Sequence, residues 1–352
     1  MSDDLTRRLG ALVEPGAPVL VERLDPKKDG VLVVHATVGD APAWFALGPD
    51  GDRALDPGDD PKVPLSRKLA ELRAAGPVEV LNYRPERRLV LAVGEGDDRR
   101  LLKGFRKKQL EASARLHTHA AEALGDGAVR LPRLLEVVPE SAHVELEWVS
   151  GRPLSLAPTQ GEVFYRLGAA LRRLQAASTD GLPVHGPSEE LDVVDTLLDR
   201  ARRACASVPP AFPEVRRRLV AELPPWHEDA GRPAHRDLHD GQVLEHGGEL
   251  VLLDFDLLSR ADPLLDVANM LSHLKLRELQ GLCGARSGTV DACGRPLLEG
   301  LGRDSEPGAR DRLRFYQAAT FLRLVLVYAL RRRWEHLGPD LLELASRCVD
   351  DR

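Results

Sequence analysis

Cysteine is scarce and scattered: Cys205, Cys283, Cys293 and Cys348 are the four in a chain of 352 residues, and no two have C-x-x-C spacing. That speaks against a disulfide framework or a compact zinc site and for isolated reduced thiols. Long apolar runs are missing too. The strongest, near Leu324–Leu330, is far short of the roughly 20 residues that span a bilayer. Met1-Ser2-Asp3-Asp4 opens the chain with polar and acidic residues and no apolar signal core, so a cytoplasmic protein with no membrane partner is expected. There is no basic excess. A formal net charge of −6 gives no global attraction to nucleic acid, which is therefore not an expected partner. No internal repeat is found.

An apolar fraction of 43% with 30% charged residues describes an ordinary globular protein, and the length implies two or three packed lobes. Residues 1–76 read as a module of their own. A short helix, Asp4–Val13, precedes strands Pro18–Leu24, Gly30–Val38 and Pro42–Leu47. A polar connection, Gly48–Pro64, and a helix Ser66–Ala75 capped by Ser66 follow. From Pro77 three strands come in succession, Val78–Asn82, Leu89–Val93 and Arg100–Phe105, with Lys103 inside the third. Lys108–Leu124 has helical spacing, and Leu131–Val137 and His143–Val149 read as further strands. Beyond Gly151 the pattern is helical: Glu162–Ala177, Leu191–Ala206, Pro213–Leu223 and one long amphipathic helix over Arg310–Leu337. Leu282–Pro307 reads as loop around a short helix, and Arg323 and Arg331 as solvated or paired surface residues.

Chemistry concentrates in Pro233–Leu258, PAHRDLHDGQVLEHGGELVLLDFDLL. His235-Arg236-Asp237 is followed by Gln242, a short strand, a Gly247-Gly248 turn and an apolar strand that ends in Asp254-Phe255-Asp256. Asp237 and Asp254 would then lie side by side at the mouth of a hairpin. Two such carboxylates suit phosphoryl transfer, in which one orients a hydroxyl and the other holds Mg²⁺ against nucleotide phosphates.

This stretch resembles the catalytic and metal-binding segments of the aminoglycoside phosphotransferase and choline kinase superfamily, relatives of the protein kinases. The resemblance implies an α+β, bilobal protein kinase-like fold: an N-terminal α/β extension (1–76), a small antiparallel β-rich lobe that binds nucleotide (77–149) and a mainly helical lobe (150–352). It implies ATP and Mg²⁺ as cofactors, Asp237 as base, and Asp254 as metal ligand with Gln242 and Asp256 as further candidates. Gln242 stands where the superfamily normally has Asn, and Asp256 is as readily a turn-stabilising residue. Lys103 is the expected partner of the nucleotide phosphates, oriented by Glu122 or alternatively Glu111. Glu147, Trp148 and Val149 fall where a hinge would read the adenine edge, chiefly through main-chain atoms. His235 is expected to prop the catalytic loop, and Asp266 to brace it by accepting its backbone hydrogen bonds.

Two features depart from the protein kinases. The turn Tyr83–Arg88 has no glycine and three arginines, and no Ala-Pro-Glu segment follows Asp254. The function implied is ATP-dependent transfer to a hydroxyl of a small molecule such as a sugar, aminocyclitol or amino alcohol. The alternative is a nucleotide-binding scaffold of the same fold with little turnover, motivated by Gln242. Glu189, Glu190 and Asp192 could draw a cationic acceptor, though such clusters are usually solvated helix starts. The sequence does not define the acceptor or an oligomeric state.

Overall fold

The structure, a computed structural model, describes residues 3–125, 127–157, 159–282, 288–303 and 306–350. The chain opens with α1 (Asp3–Gly10) and a four-stranded antiparallel meander, β1 (Val19–Pro26), β2 (Leu32–Val38), β3 (Ala41–Gly48) and β4 (Gly51–Leu55). The fourth strand lies inside what reads in sequence as a polar connection. It is short and mostly exposed, and its pairing with β3 rather than its own composition makes it a strand. Ser66 is no cap: Pro64 starts a 3-10 turn that buries Ser66 with its hydroxyl unpartnered, and α2 (Leu69–Ala75) begins only after it.

A second sheet contains β5 (Val78–Arg84), β6 (Arg88–Val93) and β7 (Arg100–Phe105), followed by α3 (Lys107–Leu124). The stretch Leu131–Val137 is a strand only from Leu134: β9 (Leu134–Val138) joins the second sheet beside β10 (His143–Glu147), while β8 (Val129–Arg130), just before the stretch, pairs in parallel with a strand of the later hairpin. Pro132, which has no N–H to give a ladder, lies between them. The order is β5-β6-β7-β10-β9, antiparallel throughout.

The rest is mainly helical: β11 (Arg152–Pro153), α4 (Gly161–Gln175), β12 (Val184–His185), α5 (Pro187–Arg203), α6 (Phe212–Ala221) and β13 (Arg232–Ala234). The hairpin β14 (Val243–His246) and β15 (Glu249–Leu252) comes next, then β16 (Ser259–Ala261), α7 (Leu265–Gln280), α8 (Thr289–Leu301), α9 (Ala309–Ala329) and α10 (Gly338–Asp350). The expected single helix Arg310–Leu337 stops at Leu330, and a kinked 3-10 turn separates it from α10. The loop expected around a short helix contains instead the 13-residue α8. Cys205 and Cys293 are free thiols, and Cys283 lies outside the described residues. Among the described residues no helix is long and apolar enough to cross a membrane.

Glycine sets two details. Gly247 and Gly248 both have positive φ, as a two-residue hairpin turn requires. On the facing sides of α4 and α8, a Cβ on Gly168 would meet the Leu297 carbonyl at 2.1 Å and one on Gly300 the Tyr165 carbonyl at 2.1 Å. The two helix backbones therefore touch. The stripe Phe164, Leu167, Leu171 and Leu174 of α4 is buried, in a core it shares with Leu297, Leu301 and the strand residues Leu250 and Leu252. Gly300→Ala should thus destabilise the fold by about 1–3 kcal/mol, the usual cost of overpacking; an unchanged melting temperature would show that α4 and α8 separate freely.

The N-terminal module bridges the other two regions. Its core, Leu9, Leu24, Val34 and Phe45, includes Leu330 at the end of α9. On its other side Trp44 packs with Tyr83, Leu89 and Leu91 of the second sheet.

Candidate active site

The β14–β15 hairpin places Asp254 immediately beyond its last strand residues, where the backbone turns left-handed (φ 60°, ψ 61°) before a 3-10 turn Phe255–Leu257. A non-glycine residue in that region stores on the order of 1–3 kcal/mol of strain. Arg236, beside Asp237, also has positive φ (69°). Both strained residues belong to the segments that carry the candidate chemistry. Asp254 and Asp256 converge because of the turn between them, since the strand has already ended.

Their charge meets a cation from the second sheet. The Lys103 ammonium, 8% exposed on β7, donates to Asp254 Oδ1 at 2.7 Å and pairs with Asp256 Oδ2 at 2.8 Å. Arg88, across the sheet on β6, reaches Asp256 Oδ2 at 2.8 Å and Asp254 at 3.4 Å. Burial pushes the Asp254 carboxyl up, but Lys103 and Arg88 together hold it well below the ordinary range.

Asp237 is held by a separate brace. Asp266, buried at the start of α7, accepts the backbone N–H of His235 at 2.8 Å and of Arg236 at 2.7 Å. This is the bracing role expected of it. His235, fully buried, is 2.8 Å by Nε2 from the Leu253 carbonyl, accepts the Asp237 N–H at Nδ1, and packs on Phe255. It thereby ties the loop of Asp237 to the strand that leads to Asp254. Asn269 donates to the Arg236 carbonyl at 2.7 Å and accepts from Arg323 at 2.8 Å, and Arg323 in turn lies 3.8 Å from Asp237 Oδ1.

Asp237, Gln242, Asp254 and Asp256 line one cavity of about 790 Å³, within the size range of small-molecule sites. The remaining candidates are not with them. Glu122 and Glu111 are exposed on α3, whereas Lys103 pairs with the two aspartates. The face of α3 toward the cavity presents Gln109 and Ser113; helical spacing alone did not specify which face would be covered. Glu147 is committed elsewhere. Its carboxylate accepts from Arg130 at 2.9 and 3.1 Å, and its N–H donates to the Arg133 carbonyl. Trp148 and Val149, half-buried just past β10, remain as hinge candidates, with Arg99 over the Trp148 ring at 3.8 Å.

Four further residues shape the site. Arg323 reads as surface in sequence but faces the cavity. His239 and His273 stack at 4.5 Å on the same wall; burial, with nearby Arg277, keeps both imidazoles below the usual histidine range. Asp60, in the polar connection, accepts the Glu86 N–H at 2.6 Å and the Tyr83 hydroxyl at 3.1 Å. It fixes the tip of the glycine-free β5–β6 hairpin.

The arrangement defines a class, and the comparisons agree with it. The chain belongs to the phosphotransferase enzyme family, which it matches over residues 86–316. Similar solved structures include a choline/ethanolamine kinase family protein from Mesorhizobium loti, with 17% identity, TM-score 0.54, and 82% of this chain and 95% of that one covered. Choline kinase LicA from Streptococcus pneumoniae has 16% identity and TM-score 0.54, covering 81% and 98%. Amicoumacin kinase, solved with AMP-PNP, Ca²⁺ and amicoumacin, has 15% identity and TM-score 0.56, covering 78% and 88%. No curated protein sequence matches. The fold is thus the bilobal, protein kinase-like α+β fold, with an antiparallel sheet in one lobe and helices in the other.

Replacing Asp266 by Ala leaves two backbone N–H groups buried and unpaired, a cost of about 1–3 kcal/mol each. The variant should melt several degrees lower and lose activity through displacement of Asp237. A variant with wild-type melting and turnover would show that the loop is held by other contacts.

Proposed function

We propose that the chain transfers the γ-phosphate of ATP to a hydroxyl of a small acceptor, using Asp237 as the residue that orients and accepts the hydroxyl proton. The observation that carries this reading is the convergence of Asp237, Asp254 and Asp256 on one cavity, with Lys103 reaching two of them from the opposite lobe. The division at residues 76 and 149 belongs to the same reading, as does recognition of the adenine edge by main-chain atoms at Trp148 and Val149.

The donor set suits Mg²⁺. Asp254 and Asp256 already meet at one cationic point, the Lys103 ammonium, and Gln242 offers an amide oxygen on the same wall; hard oxygen donors of this kind are what Mg²⁺ takes. When bound, the ion would supply neutralisation of phosphate charge. Lys103 and Arg88 are placed to pass from the aspartates to phosphate oxygens, exchanging one set of charge-assisted hydrogen bonds for another. Lys103 and Arg88 hold the Asp254 pKa far below the usual carboxylate range, which keeps it ionised. Asp237 needs no such tuning, because orienting an alcohol toward a loose transition state matters more than full proton removal. Arg323, 3.8 Å away, limits where that carboxylate can point. A solved relative with AMP-PNP and a divalent ion supports the choice of nucleotide.

Asp237→Asn should reduce turnover by about 10²–10⁴-fold, the usual worth of a general base, while leaving Mg²⁺-dependent nucleotide binding intact by calorimetry. Wild-type turnover in that variant would remove Asp237 from the chemistry.

A further inference from the structure

The cavity that holds the aspartates is lined by seven arginines against three aspartates, in a chain whose net charge is −6. Some of these cations are already matched. Arg88 pairs with Asp254 and Asp256, Arg277 with Asp240, and Arg323 with Asp237 and the Asn269 amide. Arg106 donates to the Glu86 carbonyl, which fixes it without neutralising it. Arg84, Arg87 and Arg331 have no carboxylate within ion-pairing distance among the described residues. Arg84 is partly buried, and its Nε is buried without a partner.

The crowding is real. Burial, then Arg88 and, less strongly, Arg331, lower the pKa of Arg84 against the opposing pull of Asp254 and Asp237. Behind it Arg23 of β1 is pushed down to about 10, first by burial and next by Arg84. Like charges so gathered are costly unless a ligand neutralises them, and guanidinium forks match phosphate oxygens in pairs. Two of the three acidic residues that would draw a cationic acceptor are engaged: Glu190 is buried on His185 at 2.7 Å, and Glu189 accepts the Gly186 N–H.

The triphosphate does not account for these arginines, because Lys103, Arg88 and the aspartate pair form its own charge-matching set. Arg84 lies within electrostatic reach of both Asp237 and Asp254, and Arg331 follows α9, the helix that also carries Arg323 toward Asp237. Arg84 thus sits between the reacting groups, and Arg331, over the Tyr328 ring at 5.8 Å, enters the cavity from the lobe that carries Asp237.

We propose that the acceptor is itself anionic, a phosphorylated sugar or polyol whose phosphate docks on Arg84, Arg87 and Arg331 while a free hydroxyl meets Asp237. This rests on the phosphotransfer reading and names its substrate class. In the step, the acceptor oxygen forms a bond to the γ-phosphorus and the bond from that phosphorus to the β-bridging oxygen breaks. ADP leaves with the electron pair, and the hydroxyl proton passes to Asp237. The neutral imidazoles of His239 and His273 on the same wall provide hydrogen bonds for the remaining hydroxyls.

The test is ADP release by the full chain with ATP and Mg²⁺ over glycerol phosphate and sugar phosphates, each beside its unphosphorylated parent, with choline as the cationic control. The phosphorylated acceptors should be preferred on the order of 100-fold in kcat/KM, since a site built for a charged group rejects the analogue lacking it. Arg331→Gln, a change at an exposed position, should raise KM for the phosphorylated acceptor about tenfold or more with a smaller change in KM for ATP. Turnover that favours neutral or cationic acceptors, or an Arg331→Gln effect confined to KM for ATP, would overturn the acceptor class and leave phosphotransfer standing. No ADP release with any acceptor or with water would remove the phosphotransfer reading, and this one with it.

Discussion

One ammonium group, Lys103 on β7, touches two carboxylates, Asp254 and Asp256, that belong to the opposite half of the molecule. The lysine is buried while both carboxylates keep some solvent contact, and parting them strands a buried ammonium unless another anion replaces them. The rest of the cleft is arranged around that constraint. The β14–β15 hairpin delivers Asp254, a strained turn rotates it toward the lysine, and the His235 ring holds the neighbouring loop against the same strand. In a phosphotransferase the contact has a direct use: the groups that satisfy each other in the free protein are those a metal and a triphosphate would engage.

The N-terminal module gives the contact its frame. Leu330 sits in its core on one side and Trp44 reaches the second sheet on the other, so the module spans the cleft from behind. Asp60 then pins the β5–β6 tip by its Glu86 N–H. A glycine-rich turn adapts through backbone freedom; here the tip is pinned, and Arg88 of the same hairpin faces the aspartates.

The catalytic stretch was legible because its signals are local. His235, Asp237 and an apolar strand ending in Asp254 lie within a few turns of chain, and the Gly247-Gly248 pair marks the hairpin that joins them. Asp266 was legible for the same reason. What escaped depends on tertiary context. Glu122 and Arg323 both lie on helices, and which face is covered is decided by the partner that packs there: Glu122 faces solvent while Arg323 faces Asp237. Asp60 hides in a turn-rich run whose composition says only that it is polar. The convergence of Asp254 and Asp256 arises from a left-handed residue and a 3-10 turn, a conformation composition does not encode.

A structure of the protein with a non-hydrolysable ATP analogue and Mg²⁺ tests the account most directly. The account requires the ion on Asp254, the Lys103 ammonium moved onto phosphate oxygens, and Asp237 facing the terminal phosphate. Nucleotide bound elsewhere, with Lys103 still locked on both aspartates, would contradict it.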